Sequence, residues 1–205
     1  RPDLASIQEP LGNAVQATLV EDVAGKTVAV MGCGPTGLFA VGIAKACGAT
    51  AVFAADVNDY RLNLARTMGA TATYNPRSGR RPLAEWVLEA NEGFGVDVAL
   101  EMSGNPQAVQ SAFQAVRNGG RVTLFGIPSE PIELDLAEGI IFKGITIHGV
   151  TGRRLFDTWY RTRWFLESGV LDVSPVVTHR MTFDRIDEAM GLMAAGQCGK
   201  IVLTP

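Results

Sequence analysis

The sequence predicts an α/β protein built on a doubly wound, six-stranded parallel sheet, with flanking segments of an incomplete second domain. Three observations lead there. Short, nearly continuous apolar runs alternate with helical stretches of about ten residues, the pattern of parallel strands covered on both faces. The chain has 23 glycines, many of them where a strand would turn into a helix. Its residues are 47% hydrophobic and 19% charged, with no low-complexity tract, which is enough apolar side chain for a substantial core.

Each element has a local reason. Residues 27–31 form a β-branched apolar run that ends in Gly32, and residues 35–47 follow as a helix rich in Ala, Leu and Val. A second strand at 51–56 leads to a helix at 60–68, stopped by Gly69. A short strand at 71–74 precedes a helix at 82–91 with Pro82 in its first turn. Strand 96–102, helix 106–116 and strand 121–125 continue the alternation, and a helical segment at 136–142 precedes a sixth strand at 145–148. The rhythm then breaks. A long aromatic-bearing helix at 155–168 is followed by a strand at 177–181, a helix at 184–195 and a last strand at 200–203. Residues 1–20 therefore read as a linker or the edge of a second domain. Residues 21–152 read as the sheet domain, and 153–205 as a return into the second domain.

The strongest motif is Gly32-Cys33-Gly34-Pro35-Thr36-Gly37. Glycine-rich turns are common, but this one follows a predicted strand, opens a predicted helix, and has Asp56 19 positions beyond Gly37. That spacing is the dinucleotide fingerprint of the Rossmann arrangement. Gly32 makes the tight turn, Gly34 lets the backbone approach a pyrophosphate, and Gly37 lets the helix pack on the strand. The helix start then offers free N–H groups and the positive end of its dipole to the phosphates. Pro35 gives up a donor that could not bond within the helix anyway. Asp56, at the end of the second strand, is placed to accept from ribose hydroxyls and to repel a 2′-phosphate, which favours NAD over NADP. Arg61 is the counter-signal, since an arginine there could hold that phosphate. Three further segments fall at the predicted carboxyl edges of strands, where ligands sit in open α/β sheets: Glu101-Met102-Ser103-Gly104, Phe125-Gly126-Ile127-Pro128 and Gly149-Val150-Thr151-Gly152.

Other classes are disfavoured. The net charge is −3 and acids and bases are interspersed, so no basic stripe points to nucleic acid or a membrane surface. No apolar run approaches the roughly 18 residues needed to span a bilayer. The start Arg1-Pro2-Asp3 does not resemble a signal peptide, and its lack of Met reads as a fragment or a processed chain. Three scattered cysteines (Cys33, Cys47, Cys198) fit reduced thiols in a cytoplasmic protein. His148 and His179 read as structural, because neither has a metal or nucleophile partner nearby in sequence.

Taken together, these stretches resemble the zinc-containing medium-chain dehydrogenases along essentially the whole chain. The resemblance also rests on Glu9-Pro10-Leu11-Gly12-Asn13-Ala14, Asp56-Val57-Asn58-Asp59-Tyr60-Arg61 and Ser174-Pro175-Val176-Val177-Thr178-His179-Arg180. The run from Gly152 to Trp159 is most like the members that act on L-threonine. The resemblance implies that Thr36, Asp56 and Arg61 contact the adenosine diphosphate half of NAD. It also implies that Phe125, Gly126, Ile127, Val150 and Thr151 flank the nicotinamide half. The implied reaction oxidises the C3 hydroxyl of L-threonine to 2-amino-3-oxobutanoate, with zinc as Lewis acid. In the family the zinc ligands lie in an amino-terminal domain outside this chain.

Glu9 matches a carboxylate beside that metal, acting in proton relay or transient ligation, although by itself it is an ordinary acid before a proline. The family forms tetramers, and its sixth strand is placed to pair across a two-fold axis. This chain departs from the family at Gln16, where His is frequent, and at Thr36, where an aliphatic residue is usual. Two alternatives stay open: another zinc-dependent polyol or secondary-alcohol dehydrogenase, and an NAD-binding module that by itself does no catalysis.

Overall fold

The computed structural model describes residues 1–205. Strands β1 (Thr27–Met31), β2 (Ala51–Ala55), β3 (Ala72–Tyr74), β4 (Val96–Glu101), β5 (Val116–Leu124) and β6 (Thr146–Gly149) form one sheet in the order β3-β2-β1-β4-β5-β6. Every pairing in it is parallel. This is the doubly wound order predicted from the alternating pattern, and it places the first crossover beside the point where the strand order reverses.

The central strands β1, β2 and β4 are buried on both faces, and successive residues divide between two cores. Val28, Val30, Val52, Ala54, Val98 and Leu100 face one of them, which is filled from α3 (Pro35–Ala46) by Leu38, Phe39, Val41 and Ile43. Ala29, Met31, Phe53, Ala55 and Ala99 face the other, closed by α5 (Leu83–Ala90) and α6 (Pro106–Ala115) through Leu83, Val87, Val109 and Phe113. The period of two along each strand thus serves two covered faces, so the strands read as continuous apolar runs.

The structure departs from the expected elements in three places. The stretch read as a linker or domain edge, with no element expected there, contains two helices, α1 (Pro2–Ala5) and α2 (Gln8–Thr18). Leu11, Ala14, Val15 and Thr18 of α2 are buried at helical spacing, and α2 lies against α3. Pro10 falls in the first turn, where its missing N–H costs nothing, so it does not break the helix. Gly12 is a packing residue, because a Cβ there would stand 3.0 Å from Arg153 Cδ. Second, β5 starts at Val116 rather than at 121: Val116 pairs with Val96, and a register shift follows before the pairing resumes. Third, the predicted helix at 136–142 is a π-helical turn, Ala137–Ile141.

The carboxyl-terminal region comprises α7 (Asp157–Ser168) and a parallel pair, β7 (Val177–Thr182) and β8 (Lys200–Thr204), joined through α8 (Ile186–Ala194). Its Phe165, Leu171, Val173 and Val176 enter the α3-side core. Gly169 ends α7 in the left-handed conformation typical of a helix stop. All three cysteines are free. His148 Nε2 lies 2.7 Å from Glu21 Oε1, and His179 Nδ1 lies 2.9 Å from Thr178 Oγ1. Beside the first pair, the buried Arg121 guanidinium donates to the carbonyls of Thr18 (2.8 Å) and Glu21 (3.2 Å), fixing the passage from α2 into the sheet.

Candidate dinucleotide-binding site

The glycine turn connects β1 to α3 at the carboxyl edge of the sheet. Gly32 has φ +98°, which a side chain rarely tolerates, and a Cβ there would also press on Ser103. At Gly37 a Cβ would lie 1.9 Å from the Gly32 carbonyl oxygen, so helix and turn approach as closely as backbone allows. Gly34 is different: a Cβ there would meet no protein atom within 4 Å. The space beside Gly34 is therefore left open by the chain, as the approach of a ligand to the backbone requires.

The same turn presents unused donors. Gly34 is the N-cap of α3 and no side chain caps this helix. The amides of Gly34, Thr36 and Gly37 bond to nothing within the chain. By contrast, α4 (Asp59–Thr67) and α6 are closed by the Asn58 and Asn105 side chains. An uncapped helix start with convergent N–H groups is an anion site in waiting.

Asp56 follows β2 and faces the turn. It is only 9% exposed. Its Oδ2 accepts from the Cys33 amide at 2.7 Å and its Oδ1 from the Asn58 amide at 2.9 Å. A carboxylate has about four lone-pair sites, so both oxygens can still accept from ribose hydroxyls. Arg61 Nη1 stands 3.9 Å from Asp56 Oδ2, and the Arg61 Nε is buried without a partner. Cys33, inside the turn, has its Sγ 3.6 Å from the Ala55 carbonyl oxygen, and burial pushes its thiol pKa far up.

A cavity of about 700 Å3 opens from here, lined by Gly32, Asp56 and Arg61 together with Arg77, Ser103, Asn105 and a face of α6. Besides Ala108, that face presents Gln107, Gln110, Ser111 and Gln114, polar residues which sequence reading did not single out. Their i, i+3, i+4, i+7 spacing is a legible polar stripe on a helix whose opposite side is buried.

The loops on the other side of the turn are tied by Glu101, at the end of β4. Its fully buried carboxylate accepts from the amides of Ser103 (2.8 Å) and Gly104 (3.0 Å) and from the Ser103 hydroxyl. Its backbone carbonyl takes the amides of Phe125 (2.9 Å) and Gly126 (3.1 Å). Phe125, Gly126 and Ile127 thus follow β5 at the same sheet edge as the turn, and Val150 and Thr151 follow β6 there. None of these five lines the cavity with Asp56. Ile127 is 88% exposed.

Glu9 is not among the cavity residues either. It sits on α2 with a largely exposed side chain, accepting from Asn13 Nδ2 at 2.8 Å, 4.0 Å from Arg153 Nη1. Arg153, on the loop after β6, lies over the Trp159 ring at 5.5 Å from its centroid. No group of three or more His, Cys, Asp or Glu side chains is placed to hold a metal ion.

Comparisons with known proteins agree with this geometry. The family model for zinc-binding dehydrogenase matches residues 35–168. Among curated relatives, L-threonine 3-dehydrogenase of Symbiobacterium thermophilum is 48% identical over 204 residues, covering 99% of this chain and 58% of that protein. The chain thus spans little more than half the length of the relatives it matches. Among solved structures, a short chain alcohol dehydrogenase from E. coli CFT073 complexed with NADH superimposes with a TM-score of 0.86 at 27% identity, over 98% of this chain and 59% of the other. A structure from Sinorhizobium meliloti bound to NADP gives a TM-score of 0.86 at 25% identity, with the same two coverages of 98% and 59%. With the sheet order, the glycine turn and a family match over most of its length, the chain belongs to the zinc-binding dehydrogenase family.

Proposed function

We propose that this chain is the NAD-binding part of an oxidoreductase that converts the C3 hydroxyl of L-threonine to the ketone of 2-amino-3-oxobutanoate. One observation carries the cofactor reading: free amides at the start of α3 border an open space at Gly34, with the buried Asp56 carboxylate facing the same turn. The amides of Gly34, Thr36 and Gly37 would hold the pyrophosphate. Asp56 would accept from the adenosine ribose, with Arg61 and the α6 stripe beside it. Phe125, Gly126, Ile127, Val150 and Thr151 would flank the nicotinamide. The choice of NAD over NADP rests on Asp56, since fold neighbours carry either cofactor.

When bound, NAD supplies the oxidant, taking two electrons and a proton's mass from the substrate's C3–H bond. The residues of this chain bind and orient it: helix dipole against phosphate, carboxylate against ribose. Threonine as substrate is supported by the 48% identical relative of that name. Zinc belongs to the proposed reaction through family membership, but no residue cluster of this chain fits it. We assign its ligands to residues outside these 205, and Glu9 to a role in proton relay or ligation beside it. Assembly into tetramers and a cytoplasmic location belong to the same reading. No helix of the chain is long and apolar enough to cross a membrane.

By itself, the 205-residue chain is expected to bind NADH and to oxidise no alcohol. Calorimetric titration with NADH tests this. Gly34→Ala adds a methyl where no protein atom is touched, so the fold should be unchanged while affinity falls about tenfold or more by blocking backbone approach. Asp56→Ala should weaken NADH binding by about 2 kcal/mol, the scale of charge-assisted hydrogen bonds. Unchanged affinity in both variants would refute the site.

A further inference from the structure

We infer that Asn58 is a positioning residue that ties the ribose-binding carboxylate to the carboxyl-terminal segment, so that residues remote from the cofactor help set its affinity. The inference rests on the NAD reading above. Asn58 is the N-cap of α4: its Oδ1 accepts from the amides of Tyr60 (2.9 Å) and Arg61 (3.3 Å). Serine or aspartate would cap equally well, so capping accounts for only the oxygen half of the side chain. The nitrogen half is used elsewhere. Nδ2 donates to the carbonyl of Gly196 at 2.8 Å, 138 residues away in sequence, in the turn between α8 and β8.

That turn has no slack. Gly196 has φ +67°, and a Cβ on it would lie 2.4 Å from Asn58 Nδ2. From Asn58 the connection continues inward: its own amide donates to Asp56 Oδ1, and Asp56 Oδ2 accepts from Cys33 in the glycine turn. An unbroken series of hydrogen bonds therefore runs from the carboxyl-terminal segment, through the ribose acid, to the phosphate turn. On the opposite side, Asn75 Nδ2 donates to the Val57 carbonyl (3.2 Å) and to Asp59 Oδ1 (2.8 Å). The loop from 56 to 59 is thus held from two directions, and only the Gly196 hold comes from outside the six-stranded sheet and its connections. Arg61 depends on the same anchor, because its amide is one of the two that Asn58 caps.

The test measures NADH affinity by calorimetry and thermal midpoint on the 205-residue chain. Asn58→Ser keeps the cap and removes the bond to Gly196. Affinity should fall about fivefold, the usual effect of one net hydrogen bond, with the midpoint moving by no more than about 4 °C. Gly196→Ala attacks the same contact from its other end and should weaken NADH binding similarly, although Gly196 does not line the cavity. The double variant should bind about as weakly as either single one, since both remove one coupling.

If Asn58 merely caps a helix, Asn58→Ser will bind NADH like the parent chain, and the inference is overturned. Effects that multiply to about 25-fold in the double variant overturn it too, by the additivity of independent sites. A parent chain that fails to bind NADH ends the NAD reading and this inference with it. A parent that binds, alongside indifferent variants, ends this inference alone.

Discussion

The two ends of the candidate cofactor groove are built differently. At the end proposed for the adenosine, the buried Asp56 lines a cavity of about 700 Å3 and is joined by short hydrogen bonds to the buried Cys33 and the half-buried Asn58. At the end proposed for the nicotinamide, Ile127 is 88% exposed, Thr151 is exposed, and neither lines that cavity. The first end is enclosed by this chain's own residues around Asp56, whereas the second is exposed. Affinity for the cofactor is therefore expected to reside here. No group of three or more His, Cys, Asp or Glu side chains in this chain is placed to hold a metal ion.

The sharpest way to break this contrast is at Gly37. Gly37→Ala places a methyl 1.9 Å from the Gly32 carbonyl, a backbone atom that cannot step aside. A loss of about 3 kcal/mol in stability is expected from overpacking, together with loss of NADH binding, read by denaturant unfolding and titration. Gly34→Ala is the companion experiment one turn earlier: binding falls while stability holds. If both variants lose stability equally, the open space at Gly34 is not a ligand's.

A smaller effect is expected at the other end. Ile127→Ala should change stability by less than about 0.5 kcal/mol, as for other exposed positions, and weaken NADH binding by less than about threefold. A tenfold loss would show that the exposed loop contributes as much as the buried one, erasing the distinction between the two ends.

The smallest effect lies at the opposite edge of the sheet, away from the groove. There burial pushes the Asp97 carboxyl up, but the Thr27 amide, the Arg117 guanidinium and the Thr27 hydroxyl outweigh it and hold the pKa below the usual 3.8. A depressed carboxyl contributes stability above its unfolded value and loses it as pH falls through the folded one. Thermal midpoints should accordingly decline below about pH 4, and Asp97→Asn should flatten that limb without altering NADH affinity at pH 7. If affinity changes as well, the two edges are not independent.

How much of this was readable from sequence follows the same divide. The glycine turn, Asp56 and the strand order were legible because each depends on local rules: φ at Gly32, spacing to the acid, apolar runs between helices. α2 was not, because Pro10 and Gly12 look like breakers until Arg153, 141 positions from Gly12, is seen lying against the helix. The start of β5 at Val116 was hidden for a similar reason: its pairing with Val96 is set by the neighbouring strand, not by its own polar sequence from Arg117 to Gly120. The link from Asn58 to Gly196 spans most of the chain and leaves no periodic trace. Contacts made at a distance, rather than weak propensities, account for what sequence reading missed.

The buried thiol of Cys33 has a practical consequence. It sits inside the glycine turn with no accessible surface, and burial keeps it protonated, while Cys47 is partly exposed. An alkylating reagent should therefore label Cys47 in the intact chain and reach Cys33 only when the turn opens. The time course of labelling at Cys33, resolved from the likewise buried Cys198 by peptide mass spectrometry, would serve as a built-in clock for local unfolding at the head of the first crossover helix without adding any tag.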